Sequence, residues 1–352
     1  MLLPETIRLH DRDAFRFHVI YFLPWKDQMV PSIKEAGAEV TCMSAGNNLR
    51  LLLHATKIVR YVKDNRIDLI HCHLPWAGFV GRIVHRLTGV PVLYTEHNKQ
   101  ERYHVVTKLI NRWTFNQQTV AIAVSQEVAV SIQKNIQPVI PLHTILNGVN
   151  TQTYQRDFDA GRRLRSEYGM TDQTLVLGTI AVFRFQKRLE VWLEVFAALK
   201  QRFPGLKGVI VGDGPLKASI LAKRSALNLD EDVLMPGLQT NTVAWLSAMD
   251  LYMMSSVFEG LPIALLEAMS CGLPVVCTRA GGTGEVIRDG IDGALVPVED
   301  PLLLADPIAA LIEDAALRQR MGLAARKRVE EAFSMERMVG ELEGLYREVV
   351  GK

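Results

Sequence analysis

Residues 255–279 read S-S-V-F-E-G-L-P-I-A-L-L-E-A-M-S-C-G-L-P-V-V-C-T-R. The stretch follows an apolar run over 251–254, passes a Glu-Gly-Leu-Pro turn, continues as an apolar helix with one glutamate in it, and ends in a second apolar run. Pro262 suits the first turn of a helix, where a missing N–H costs nothing, and Gly272 suits the position just past a helix end. The pattern predicts strand, loop, helix, strand. Glu259 falls in the loop and Glu267 inside the helix among Ala264, Leu265, Leu266, Ala268 and Met269. A carboxylate there has to be paired, hydrogen-bonded or turned to a cleft, because burying it bare is costly. The N–H groups around 261–264 leave the helix N-terminus and form an anion site that suits a phosphate. Two hydroxyl acceptors beside phosphate donors fit a nucleotide-sugar pocket; an amphipathic helix whose Glu267 reaches solvent fits the same spacing.

Outward from this unit, strands and helices alternate in both directions. The first half predicts strands over 15–23, 38–43, 67–73, 90–95, 119–124 and 143–146, separated by helices over 27–36, 49–63, 76–87, 105–117 and 126–135. The second half predicts strands over 175–182, 206–211, 233–236, 250–254, 274–278 and 294–297, with helices over 189–201, 217–226 and 242–249 and three helical segments after 301. Such alternation means βαβ units and parallel sheets. The polar, Arg-rich stretch between 150 and 171 reads as a linker. The expected fold class is therefore α/β, with two Rossmann-like parallel-sheet domains facing each other across a cleft. Their expected extents are 1–155 and 170–333, with a C-terminal helix over 334–352.

Length and composition agree with two domains. The chain has 352 residues, 48% of them hydrophobic, which is too much for one ordinary domain. Its net charge of +2 hides an asymmetry, since residues 1–150 carry 17 Lys and Arg against 11 Asp and Glu and all nine His. A basic first half suits an anionic lipid or acceptor, and it is equally what surface lysine and arginine for solubility look like. No nucleic-acid partner is expected. The four Cys (Cys42, Cys72, Cys271, Cys277) form no C-x-x-C pair and lie in or beside apolar runs, which fits buried free thiols in a reducing cytosol. No apolar stretch reaches the roughly 18 residues of a membrane span, and a cytoplasmic protein is expected. The helix over 49–63, with Arg50, Lys57, Arg60 and Lys63 among apolar residues, suits either a solvated face or peripheral contact at the inner face of a membrane.

Ligands of open α/β sheets bind outside the carboxyl ends of the strands, and the remaining candidates fall on such loops. Arg184 and Lys187, in A-V-F-R-F-Q-K-R, suit a pyrophosphate whose charge grows as it leaves, or simply a basic helix start. Gly212, in V-G-D-G-P, permits a tight turn and close backbone approach; the third glycine of a dinucleotide fingerprint is missing, which argues against a dehydrogenase. His71 and His73 end one strand on one face and His97 ends the next; no third metal ligand is evident, so satisfied or cleft-lining histidines are expected and no metal. The D-x-D of Asp157 and Asp159 lies on the linker rather than at a strand end, which again argues against metal.

Together, L-N-G-V-N at 146–150, R-x-x-K at 184–187, V-G-D-G-P-L at 211–216, M-P-G at 235–237, F-E-G-L-P-I-A-L-L-E-A-M-S-C-G-L-P-V-V at 258–276 and A-G-G-T-G-E at 280–285 resemble glycosyltransferase family 4. The E-x7-E of Glu259 and Glu267 is the most specific of these. The resemblance implies a GT-B fold and transfer of a sugar from a UDP- or GDP-linked donor to a glycan or lipid-linked acceptor, with retention of anomeric configuration and without metal or other cofactor. It implies that Arg184 and Lys187 hold the diphosphate, Glu267 the ribose hydroxyls and Glu259 the donor sugar, and that His97 lies near the reaction centre. Backbone around Gly260, Leu261, Pro262 and Gly212 would line the donor. The family's opening strand and Gly-Gly loop have no counterpart here beyond the end of the following helix around 2–10. A first domain truncated at its start, with a hole in its sheet, is therefore expected. That departure keeps open a non-catalytic or impaired nucleotide-sugar-binding protein or partner subunit; a sugar-nucleotide epimerase on the same fold is the other alternative.

Overall fold

The structure, a computed structural model, describes residues 2–351; the expected domain ends at Met1 and Lys352 lie outside the described residues. The chain divides into two compact units, one of 1–148 with 335–352 and the other of 149–334. In chain order the first contains α1 (Leu2–Leu9), β1 (His18–Tyr21), α2 (Val30–Glu35), β2 (Glu39–Cys42), α3 (Asn48–Leu51), α4 (Ala55–Asp64), β3 (Ile70–His73) and α5 (Pro75–Thr88). It continues with β4 (Val92–Glu96), α6 (Val105–Thr114), β5 (Val120–Ala123), α7 (Gln126–Asn135) and β6 (Leu142–Thr144). The second contains α8 (Phe158–Glu167), β7 (Val176–Ile180), α9 (Leu189–Arg202), β8 (Lys207–Val211), α10 (Lys217–Ala226), β9 (Val233–Gly237), α11 (Thr242–Ala248) and β10 (Leu251–Met254). After these come α12 (Ile263–Ser270), β11 (Val275–Thr278), α13 (Thr283–Val286), β12 (Ala294–Val296), α14 (Ala305–Glu313) and α15 (Ala315–Ala332). The last helix, α16 (Met335–Val350), belongs to the first unit.

Every strand pairing is parallel, as strands joined by crossover helices require. The second unit's six strands run in the order β12-β11-β10-β7-β8-β9. The chain thus lays β7, β8 and β9 outward in one direction, then returns to place β10 on the other side of β7. The loops after β7 and β10 diverge at that reversal, which is where such sheets hold ligands. In the first unit β3-β4-β5-β6 form one sheet and β1-β2 another. Along β4 the side chains alternate, as a period of two demands. Val92 and Tyr94 pack with Phe115, Val128 and Ile132, while Leu93 packs with Ile122, Met335, Val339 and Tyr346 of the opposite layer. Helix α16 therefore forms part of the first unit's core.

Two expectations change. The stretch over 150–171, read as a linker, contains α8, and two of its arginines, Arg156 and Arg165, are anchored rather than solvated. Arg165 donates to the Ala248 carbonyl at 2.9 Å and pairs with Asp250 at 2.7 Å, and Arg156 donates to the Met249 carbonyl at 2.6 Å. Gly161 lies so close to α11 that a Cβ there would fall 2.5 Å from the Ser247 oxygen. The sequence hid this helix because its inward face is made of Ala160, Gly161 and a paired arginine instead of large apolar residues. Cys42 is exposed, and Cys72, Cys271 and Cys277 are the buried thiols.

Candidate functional site

Around the strand reversal of the second unit, two loops are sewn together. The Val257 N–H donates to the Gln186 carbonyl at 2.7 Å, and the Ser255 hydroxyl lies 3.0 Å from the carbonyls of Lys187 and Arg188. These bonds bring Lys187 Nζ to 2.6 Å from Glu259 Oε1, and the Ser256 hydroxyl donates to the same oxygen at 2.6 Å. The pair is shielded on both sides, with side-chain exposures of 18% and 11%, so it forms in a medium less screening than bulk water. Arg184, at the start of the same turn, is exposed, and among the described residues its side chain forms no hydrogen bond or ion pair.

The loop that holds Glu259 leads into α12. Pro262 caps the helix with backbone φ of −75° and offers no side-chain bond, leaving the first N–H groups without a side-chain cap. The Gly260 carbonyl is held by the Gly282 N–H at 2.9 Å, and a Cβ on Gly282 would come within 2.3 Å of that oxygen. The A-G-G-T-G-E run is therefore the back wall of the turn at Gly260 and Leu261. One and a half turns further along, Glu267 is 8% exposed and bonded to the Tyr154 hydroxyl, and burial holds its carboxyl above the usual range against that bond. Tyr154 is itself fixed, its carbonyl accepting from Ser270 and from Arg326 of α15 at 2.8 Å each. On the other side of β7, Gly212 has a φ of +137°, and a Cβ there would meet the Ala181 oxygen at 1.9 Å; only glycine fits this turn.

In the first unit, His71, His73 and His97 gather at the carboxyl ends of β3 and β4. The His71 and His73 rings are 4.3 Å apart, and His73 Nδ1 lies 3.1 Å from His97 Nε2. Both nitrogens of His71 are occupied, by Tyr346 and Thr95 hydroxyls at 2.7 Å each. Burial, and then the neighbouring His97 and His10, push the His71 pKa down to about 3; burial lowers His97 to about 4. Surrounding protein and then His71 and His97 hold His73 well below its usual value, even though part of its surface is open. The cluster is therefore neutral at physiological pH. Among the described residues no group of three or more His, Cys, Asp or Glu is placed to hold a metal ion. Asp157 and Asp159 are spent locally, one capping α8 through the Ala160 N–H at 2.9 Å and the other pairing with Arg162.

The structure brings Lys187 and Glu259 into contact and sets Gly260, Leu261 and Pro262 at the entrance of α12. His97 lies in the other unit. Sequence reasoning missed the group that fixes His97. Glu96 is fully buried, and its two oxygens accept from the hydroxyls of Tyr94 and Tyr103, from Gln100 Nε2 at 2.7 Å, and from the backbone N–H groups of His97 and Asn98 at 3.0 and 3.2 Å. A glutamate closing the strand V-L-Y-T-E was the signal, since a carboxylate there has to be paired. Ser256 and Tyr154 were missed as well, because nothing local marks a serine or tyrosine as the partner of a distant carboxylate.

Comparison with known proteins matches 11–153 to "Glycosyltransferase Family 4" and 162–328 to "Glycosyl transferases group 1". The chain is similar to the N-acetyl-alpha-D-glucosaminyl L-malate synthase of Bacillus anthracis, 30% identical over 84% of this chain and 78% of that protein. It is also similar to the UDP-Gal:alpha-D-GlcNAc-diphosphoundecaprenol alpha-1,3-galactosyltransferase of Escherichia coli, 24% identical over 93% and 87% of the two chains. The crystal structure of Anabaena Alr3699/HepE in complex with UDP superposes with a TM-score of 0.85, at 21% identity, over 97% of this chain and 94% of that one.

Proposed function

This chain belongs to glycosyltransferase family 4, a group of GT-B enzymes, and on that premise we propose that it transfers a sugar from a UDP- or GDP-linked donor to a glycan or lipid-linked acceptor with retention of anomeric configuration. The observation that carries the proposal is the Lys187–Glu259 pair at the reversal between β7 and β10, beside the open N-terminus of α12. Lys187 and exposed Arg184 hold the diphosphate and neutralise the charge that grows on it as the glycosidic bond breaks. The N–H groups in the first turn of α12, which lack a side-chain cap, add fixed partial positive charge. Glu259, held by Lys187 and Ser256, accepts from donor-sugar hydroxyls, and Glu267, oriented by Tyr154, accepts from the ribose. The glycine turn at Gly212 admits the donor close to the backbone. We assign His97 a neutral hydrogen-bonding role toward the sugar, since burial keeps it uncharged down to about pH 4.

In this reading the leaving phosphate takes the acceptor proton, and neither metal nor other cofactor is used. The name of the Escherichia coli relative, with its UDP-Gal donor and diphosphoundecaprenol acceptor, supports a lipid-linked acceptor and hence work at the inner face of a membrane. Thermal shift with UDP, GDP and ADP, run beside a turnover assay, tests the reading. A shift with one of the first two together with sugar transfer supports it. A shift without transfer points to a non-catalytic binder, and an altered donor sugar without an acceptor product points to an epimerase.

A further inference from the structure

Helix α6, V-V-T-K-L-I-N-R-W-T, is turned inside out. Its inward side is polar, because Arg82 of α5 is 1% exposed and needs partners. Arg82 donates to Asn111 Oδ1 at 2.8 Å, to Thr114 Oγ1 at 2.7 Å and to Gln118 Oε1 at 2.8 Å. The rings of Phe79, Tyr94 and Phe115 surround its guanidinium at 5.1 to 5.4 Å. Asn111 also donates to Gln100 at 2.9 Å. With that side committed, the apolar residues face solvent: Val105 is 67% exposed, Leu109 44% and Trp113 77%, and they are spaced four apart on one side of the helix, with exposed Val106 beside them. On the adjoining α5, Ile83 and Leu87 are exposed at the same spacing.

An apolar surface of this kind marks an interaction site, and its charge says which. Helices α5 and α6 contain no Asp or Glu, while Arg86 and Arg112 are exposed and Lys108 half-exposed among the apolar residues. Helix α4, packed on the other side of α5, adds exposed Lys57, Arg60 and Lys63. A second copy of this chain would set the same cations against each other across a two-fold axis, which is repulsive. An anionic bilayer surface meets both properties, taking the indole and aliphatic side chains at the acyl boundary and the cations at the headgroups.

We propose that the outward face of α6, with the adjoining face of α5 and the basic side of α4, is the surface by which this protein docks on an anionic phospholipid bilayer. Its use in catalysis rests on the lipid-linked acceptor proposed above, whereas the docking itself does not. The surface is wider than the basic helix expected over 49–63, and its anchor is Trp113.

The test is co-sedimentation of the full chain with phosphatidylglycerol-containing vesicles and with pure phosphatidylcholine vesicles, at low and high salt, with no donor or acceptor present. Binding should need the anionic lipid and weaken with salt. Trp113→Ser should weaken it on the order of ten-fold, and each of Arg86→Gln and Arg112→Gln about five-fold. The far-ultraviolet spectrum and unfolding midpoint should stay unchanged, since all three side chains point outward. Equal binding by Trp113→Ser and wild type overturns the proposal, as does equal binding to pure phosphatidylcholine. A dimer in light scattering that Trp113→Ser dissolves, without vesicle binding, makes a second copy the occupant and also overturns it. Turnover on a soluble acceptor without vesicles reads the transferase proposal separately.

Discussion

Helices α12 and α6 are both rich in apolar residues, and the fold buries those of the first and exposes those of the second. In α12 the apolar residues Leu265, Leu266, Ala268 and Met269 are buried, and the single carboxylate, Glu267, is held by Tyr154. In α6 the buried residue is Asn111 and the exposed ones are valine, leucine and tryptophan. Periodicity reports that a helix has two unlike faces, and only the neighbours decide which one is inside. Beneath α12 lie apolar strands that reward burial of leucine. Beside α6 lies a buried guanidinium, whose cost without partners exceeds what an outward-facing leucine forfeits.

The largest effect expected from this contrast is on catalysis in the second unit. Lys187→Ala leaves Glu259 shielded without its cation and removes charge from the diphosphate, and turnover should fall about a hundredfold or more with the fold intact; steady-state kinetics beside circular dichroism checks this. In the first unit the corresponding substitution is structural. Arg82→Met strips Asn111, Thr114 and Gln118 of their common donor and should cost about 3–5 kcal/mol in urea unfolding. A loss below about 1 kcal/mol would mean that the polar side of α6 is not what turns the helix. Gly212→Ala should cost about 1–3 kcal/mol, because a side chain there is both strained and in contact with the Ala181 carbonyl.

The histidines give the first unit a pH dependence of their own, since the second unit contains none. His71 and His97 titrate at about 3 and 4 when folded, against 6.5 when free. The unfolded chain binds protons first on acidification, so stability should be full above pH 6.5 and decline as the pH falls toward 4. Thermal unfolding across that range should show the decline, and His71→Asn should make it shallower. The smallest effect is Trp113→Ser, whose unfolding free energy should stay within about 0.5 kcal/mol of wild type because the indole is 77% exposed.

Much of the second unit was legible from its residues. All of its strands but β10, which runs into Ser255, fall where a short apolar run ends at glycine, proline or a charge, and residues 251–279 fold as strand, loop, helix and strand. What no local signal carried was strand order. The return of the chain from β9 to β10 beside β7 is a tertiary choice, yet it is what brings the loop of Lys187 to that of Glu259. In the first unit the helix over 105–114 was legible and its orientation was not, since Arg82 reads in sequence like any surface arginine of an amphipathic helix. The α8 segment was missed for the same reason, its buried face depending on Arg165 and its partner Asp250.

The central claim is that the Lys187–Glu259 pair grips the donor of a sugar transfer, and one measurement addresses it directly. Purified wild type, Lys187→Ala and Glu259→Ala are incubated with a panel of UDP- and GDP-sugars, and nucleoside diphosphate release is followed. Release by wild type with one base, lost in both variants while their unfolding midpoints are retained, is the expected result. Equal release by all three, or none from any donor by wild type, would contradict it.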